Sequence, residues 1–102
     1  MRIIKLTEAT PRTVTGRAIA AQIVRCGTAV AANYRASCRA RSRAEFVAKI
    51  GVVEEESDET ALWLELLIES GIMPAKKLSA LLEEANALTA IMAASRKTAS
   101  GK

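Results

Sequence analysis

Residues 42–71 read SRAEFVAKIGVVEEESDETALWLELLIESG, and this stretch decides the fold. It opens on a capping box, in which the Ser42 hydroxyl accepts the Glu45 amide and the Glu45 carboxylate reaches back to the Ser42 amide. Gly71 can adopt the left-handed backbone conformation that ends a helix. Between them, residues suited to one seam recur at heptad-like spacing: Phe46, Ile50, Val53, Ser57, Thr60, Leu64 and Leu67. The stretch therefore predicts one long helix over 43–70.

Two more long helices flank this one. A stripe spaced four and three residues apart predicts a helix over 13–36, and its members are Ile19, Ile23, Cys26, Val30 and Asn33. A similar seam predicts a helix over 75–98: Leu78, Leu81, Ala85, Leu88, Met92 and Ser95. A short helix over 2–9 precedes them, and it is too short to be stable alone.

These elements predict an all-α fold, an antiparallel up-down four-helix bundle with a shortened first helix. The 102 residues suffice for a single domain, 1–102. The chain is rich in helix formers, and its three aromatic residues are too few for a small sheet. A chain this short buries only about 60–65% of its unfolded surface, so assembly would add to its stability.

The composition argues against an enzyme. The chain has no His, which removes the commonest general base and the commonest metal ligand. The acidic run at 54–59 lacks the His partners of di-iron bundles, so we expect no metal, no cofactor and no catalytic residues. One acid of this run is instead predicted to turn inward and meet Asn33 or an Arg of the preceding helix in a buried polar contact.

The cysteines and the hydropathy pattern favour a cytoplasmic protein. Cys26 lies on the apolar stripe and is predicted to fill the core, and Cys38, in a basic context, is predicted to be free. Twelve residues of continuous helix separate them by roughly 18 Å, too far for a disulfide. No stretch approaches the length of a membrane span, and no signal-peptide pattern is present.

Charge is distributed unevenly along the chain. Residues 1–50 hold ten basic and two acidic residues, a net charge of +8, while residues 51–102 carry a net charge of −4. The candidate nucleic-acid-binding residues are the basic ones densest in sequence: Arg35, Arg39, Arg41, Arg43 and Lys49. Two alternatives remain open: salt bridges to the acidic run, within or between subunits, and simple solvation.

Several segments together resemble one bacterial family, the 23S rRNA-intervening-sequence proteins. VRCGTAVAANYR (24–35) and RARSRAEF (39–46) resemble family segments around the end of the second helix. KIGVVEEESDET (49–60), WLELLI (63–68) and EANALTAI (84–91) extend the resemblance. It covers roughly residues 3–98. Cys26 replaces a usual Ser or Ala, and relatives usually carry a longer first helix.

The resemblance implies a closed antiparallel four-helix bundle that assembles into a ring-shaped homo-oligomer, typically a pentamer. It supplies no catalytic residue, and the family's function is largely undefined. Independently, the helix over 43–70 has apolar residues on a second face, including Trp63 and Leu66, which we predict to lie at the oligomer interface.

We therefore expect a non-catalytic oligomeric bundle that acts as an RNA- or DNA-binding accessory protein through its Arg cluster. The alternative is a protein-interaction scaffold, with an unidentified partner, whose charges serve subunit assembly. No membrane partner is expected.

Overall fold

The described residues form four α-helices. The computed structural model describes residues 2–101, and the helices are α1 (Arg2–Ala9), α2 (Val14–Cys38), α3 (Arg43–Glu69) and α4 (Ala75–Ala99). No strand occurs between residues 2 and 101. The all-α bundle with a short first helix is thus confirmed. Met1 and Lys102 of the predicted domain lie outside the described residues.

Local capping fixes where the helices begin and end. Thr13 caps α2 and Ser42 caps α3, each accepting with its hydroxyl the amide three residues on, at 3.0 Å. Gly71 ends the α3 turn at φ 74°, as predicted. One detail of the predicted capping box is wrong. The Glu45 carboxylate accepts a hydrogen bond from the amide of Arg41, at 3.4 Å, one residue before the predicted donor, Ser42.

The three long helices form two antiparallel pairs that share α3. α2 packs on α3, α3 packs on α4, and α1 lies alongside α2, giving a rod of 44 × 19 × 18 Å. The side chains of Ile3 and Leu6 reach from α1 to the core. α1 covers one end of the bundle, and at the other end no helix within residues 2–101 covers the side between α2 and α4.

The core has two apolar parts. We call the larger the α1-end core; it holds Ile19, Ile23, Leu64, Leu67, Met73 and Leu78. The smaller, the turn-end core, lies near the connection between α2 and α3 and holds Ile50, Val53 and Met92, with Phe46 packed against it. The predicted seam of α3 is confirmed: its members from Ile50 to Leu67 are buried, and Phe46 is half-buried.

A layer of small polar side chains separates the two cores. This polar waist consists of Cys26, Ser57 and Thr60, all buried. The Thr60 hydroxyl lies 2.7 Å from the Glu56 carbonyl and 3.1 Å from the Cys26 sulfur. Ser57 Oγ has no hydrogen-bond partner among the described residues. Small residues at this level let α2 and α3 approach where larger apolar side chains would not fit.

Gly27 lets α1 pack tightly on α2. A Cβ at this position would lie 3.0 Å from Cγ2 of Ile3. α2 is a continuous helix through Gly27. Close packing of Ile3 compensates for the lower helix propensity of glycine at this position.

Candidate nucleic-acid interface

The basic cluster occupies the connection between α2 and α3. Arg35 lies in the last turn of α2, Arg39 follows that helix, Arg41 lies in the connection, and Arg43 is the first residue of α3. Lys49 lies about two turns into α3. The four arginines are exposed and Lys49 is half-buried. Capping by Ser42 fixes the turn that carries them.

Four members of the cluster surround one open hollow. Its walls include Arg35 and Arg39 on the α2 side and Arg41 and Lys49 on the other, and its volume is about 510 Å³. Arg43 is not among the lining residues. Glu45 is the acidic residue in the lining, so basic groups dominate the hollow. An arrangement of this kind suits an anion of phosphate size or a phosphodiester backbone.

No ion pair among the described residues neutralises the cluster. Among residues 2–101, none of its five side chains has a carboxylate within 4.0 Å; the ion pairs lie elsewhere. Arg25 pairs with Glu56, at 3.3 Å, and with Glu59. Acids of the 54–59 run thus meet an Arg of α2, but at the surface and not in the inward position that was predicted. Asn33 donates to the Ala29 carbonyl instead.

Other acids of the run have structural partners as well. Glu54 accepts a hydrogen bond from Nε of Arg96 at 2.8 Å, which joins α3 to α4. This hydrogen bond and the charge of Glu54 raise the pKa of the Arg96 guanidinium above its ordinary value. Within the described part of the chain, no group of three or more His, Cys, Asp or Glu side chains is placed to hold a metal ion.

Trp63 and Leu66, predicted at an oligomer interface, are both half-buried in the single chain. The Trp63 ring packs against the α1-end core, and its Nε1 donates to the Glu59 carboxylate at 3.1 Å. Glu59 thus links Trp63 to Arg25. The interface itself stays a prediction.

The two cysteines differ in exposure. Cys26 is fully buried in the polar waist, as predicted, and Cys38 is exposed at the end of α2; both are free. No helix in residues 2–101 has the length and apolar character needed to cross a membrane.

Sequence reasoning missed an apolar groove between α2 and α4. It begins at α1 and extends toward the α2–α3 connection, along Val30, Ala31, Tyr34 and Leu88. Two large side chains beside the predicted seams, Tyr34 and Ile91, could have indicated this groove in the sequence. They remain 49% and 56% exposed.

Comparison with known proteins identifies the family. Residues 1–94 match the family model described as 23S rRNA-intervening sequence protein. A solved structure from Bacteroides thetaiotaomicron, described as a protein of unknown function from the S23 ribosomal protein family, is similar over the whole fold. It shares 28% identity with a TM-score of 0.82, and the alignment covers 94% of this chain and 89% of that one. None of the curated proteins is detectably similar. By this match and the shared fold, the chain belongs to the family of 23S rRNA-intervening sequence proteins.

Proposed function

We propose that the chain is a non-catalytic, cytoplasmic accessory protein that binds RNA or DNA through backbone phosphates at its basic cluster. The observation that carries this proposal is the hollow in which Arg35, Arg39, Arg41 and Lys49 meet without an intrachain ion pair among the described residues. Phosphate contacts need such cations and carry little sequence information, so we expect binding without base specificity.

Helix electrostatics support a binding role for part of the cluster. Cations near a helix C-terminus are stabilised by the helix dipole, which gives Arg35 and Arg39 a structural reason to lie there. Arg41 and Arg43 lie at the N-terminus of α3, where the dipole disfavours cations. Helix stability therefore does not explain these two arginines, whereas an anionic ligand does.

Assembly would strengthen the binding. We propose a homo-oligomer, a pentamer, as the resemblance to the family implies, with Trp63 and Leu66 at the subunit interface. One subunit with about two or three phosphate contacts binds weakly at physiological salt. A ring repeats the cluster, and tethered contacts gain affinity from their high effective concentration.

The test is a fluorescence-anisotropy titration of mixed-sequence RNA and DNA over a series of salt concentrations. The wild type should bind at low salt, and log K should fall by roughly 0.9 per neutralised phosphate per tenfold salt on duplex, or about 0.7 on single strands. Arg39→Glu with Arg41→Glu should flatten this slope and leave the oligomer intact.

A matched control comes from the opposite end of the bundle. Lys76 and Lys77 are exposed in the first turn of α4, so Lys76→Glu with Lys77→Glu changes the net charge equally. This control should keep most of the binding. An equal loss of nucleic-acid binding in both double variants would show that net charge alone causes the loss. No binding at about 50 mM salt, where phosphate contacts are strong, favours the protein-interaction scaffold.

The scaffold alternative has one observation in its favour. α3 exposes Glu55, Asp58 and Glu65, acids opposite in charge to the basic cluster. In a scaffold, these acids of one subunit would pair with the arginines of its neighbour. The same double variant Arg39→Glu with Arg41→Glu would then dissociate the oligomer, a result that light scattering distinguishes from loss of nucleic-acid binding.

A further inference from the structure

The basic hollow contains a carboxylate as well as its cations. Among the described residues that line it, Glu45 is the one acidic residue, and it stands between the basic side chains of Arg41 and Lys49. A carboxylate repels phosphate, so it weakens a surface whose role is only to attract phosphodiesters. The presence of Glu45 in the lining therefore points to a second kind of contact, with a ligand group that is not a phosphate.

Helix capping accounts for one oxygen of Glu45 and leaves the other available. Oε2 accepts a hydrogen bond from the backbone amide of Arg41 at 3.4 Å. Lys49 lies four residues further along α3, at the spacing that favours a Glu–Lys pair, yet no ion pair joins the two among the described residues. Oε1 has no hydrogen-bond donor within residues 2–101. Glu45 is exposed, so this oxygen can accept a hydrogen bond from a ligand.

The charges on the α3 side of the hollow alternate along one row. Glu45 and Lys49 lie one helical turn apart, which is about 6 Å along α3. Arg41 precedes the helix, and its amide contacts Glu45 from the other side. In a polynucleotide every sugar lies between two phosphates. A row of cation, carboxylate and cation therefore matches the order of phosphate, sugar and phosphate, with the sugar at Glu45.

The α2 side of the hollow leaves room for that sugar. Arg35 and Arg39 lie one turn apart and face the row, and Ala32 and Ala36 form the wall beside them. An alanine side chain ends at Cβ, so the depth of the hollow stays open between the arginines. The volume of about 510 Å³ is within the range of sites that bind small ligands, so one nucleotide unit fits.

The chemistry of the sugar determines which nucleic acid suits Glu45. An ionised carboxylate only accepts hydrogen bonds, so its ligand group must be a donor. Ribose carries such a donor, the 2′-hydroxyl, and deoxyribose lacks it. Amino groups of the bases also donate, but they differ from base to base. The 2′-hydroxyl is present in every nucleotide of RNA, which agrees with binding that has no base specificity.

We propose that Glu45 accepts a hydrogen bond from a ribose 2′-hydroxyl while Arg41 and Lys49 bind the phosphates on either side, so that the protein prefers RNA to DNA. This inference rests on the proposed binding of nucleic acid at the basic cluster. Within that site, the cations supply the affinity and Glu45 selects the sugar.

The test compares three single-stranded oligonucleotides of one sequence by fluorescence anisotropy. They are RNA, 2′-fluoro RNA, and DNA with deoxyuridine in place of thymidine. The 2′-fluoro sugar keeps the pucker of ribose but has no hydroxyl donor. The wild type should bind RNA about tenfold more tightly than either of the other two, because each of them lacks one hydrogen bond to a charged group.

Two variants remove the same acidic group from different places on α3. Glu45→Ala should bind RNA and 2′-fluoro RNA about equally. It should still fold, because the Ser42 hydroxyl accepts the backbone amide of residue 45, which alanine keeps. Glu55→Ala removes an exposed acid outside the lining of the hollow and should keep the wild-type preference for RNA. Circular dichroism must show wild-type helicity for both variants.

The outcomes separate this inference from the proposed function. Equal affinity of the wild type for RNA and 2′-fluoro RNA would overturn the inference and leave phosphate binding intact, and this comparison needs no variant. A preference for RNA that persists in Glu45→Ala would overturn the role of Glu45, whose carboxylate would then only cap α3. No binding of any of the three oligonucleotides would overturn the proposed function and this inference with it.

Discussion

Thr60 of α3 lies with its hydroxyl 3.1 Å from the sulfur of Cys26 on α2, in the layer that separates the two apolar cores. Both side chains are buried. The contact therefore joins the two helices at a level where no large apolar side chain does so.

The Cys26–Thr60 contact gives a first prediction. Cys26→Ser should fold, because serine also places a hydrogen-bonding atom opposite Thr60. Thr60→Val leaves the polar atom at position 26 without this partner and should cost about 1–3 kcal/mol. In a double-mutant cycle by urea denaturation, Cys26→Ala with Thr60→Val should cost less than the sum of the single changes. Strict additivity would show that the contact contributes nothing.

The packing of Ile3 against Gly27 gives a second prediction. Gly27→Ala alone should not yield the usual gain of about 1 kcal/mol in helix propensity, because the new methyl group lies 3.0 Å from Ile3 Cγ2. With Ile3→Ala in the same chain, the gain should appear in thermal denaturation. Gly51→Ala is the control. Its Cβ would lie 3.7 Å from Cδ of Arg96, an ordinary contact, so this change should stabilise directly.

Two substitutions of the capping residue Ser42 distinguish an effect on folding stability from an effect on nucleic-acid binding. Ser42→Ala removes the acceptor for the Glu45 amide and should lower stability by about 1 kcal/mol. Ser42→Asp keeps a capping acceptor and should keep the stability. Because the new carboxylate lies between Arg41 and Arg43, it should weaken nucleic-acid binding more than Ser42→Ala does. The opposite order of affinities would contradict phosphate binding at this turn.

Thiol chemistry tests the placement of the cysteines. Under native conditions an alkylating reagent should add one group per chain, at Cys38, because Cys26 is fully buried. In denaturant both should react, which mass spectrometry counts directly. Rapid double labelling of the native protein would place Cys26 outside the core.

The predicted subunit interface is testable through Leu66. Leu66→Glu should lower the mass measured by light scattering and leave the helicity unchanged if Leu66 lies between subunits. Trp63→Glu should do more damage, since Trp63 also packs on the α1-end core and bonds to Glu59. Trp63→Phe keeps a six-membered aromatic ring and loses the Nε1 hydrogen bond with the rest of the indole, so it should retain both fold and assembly.

Spacing alone predicted much of the architecture. The seam from Phe46 to Leu67 and the caps at Ser42 and Gly71 follow from helix periodicity and local backbone chemistry, which act within a few residues. The pairing of Arg25 with Glu56 and Glu59 was foreseen only as a type of contact. Its members could not be named, because they depend on the relative rotation of two helices.

The surfaces were harder to predict than the core. The basic cluster was visible as a run of residues, but the sequence could not exclude Arg43 from the hollow or place Lys49 opposite Arg35. The apolar groove was missed because periodicity identifies which residues share a helix face, and not which neighbouring helix covers that face. Tyr34 and Ile91 stay exposed because no neighbouring helix among the described residues covers them.

The unequal size of the two cores has a consequence for local opening. The basic cluster lies at the end of the rod whose core holds three buried apolar side chains, whereas the core of the other end holds six. Segments with fewer buried contacts open at lower free energy, so amide hydrogens near the start of α3 and the end of α4 should exchange with solvent before those around Leu64 and Leu78. A ligand that binds only the closed form slows that exchange by mass action. A ligand that binds at this end of the molecule should therefore also suppress its local opening.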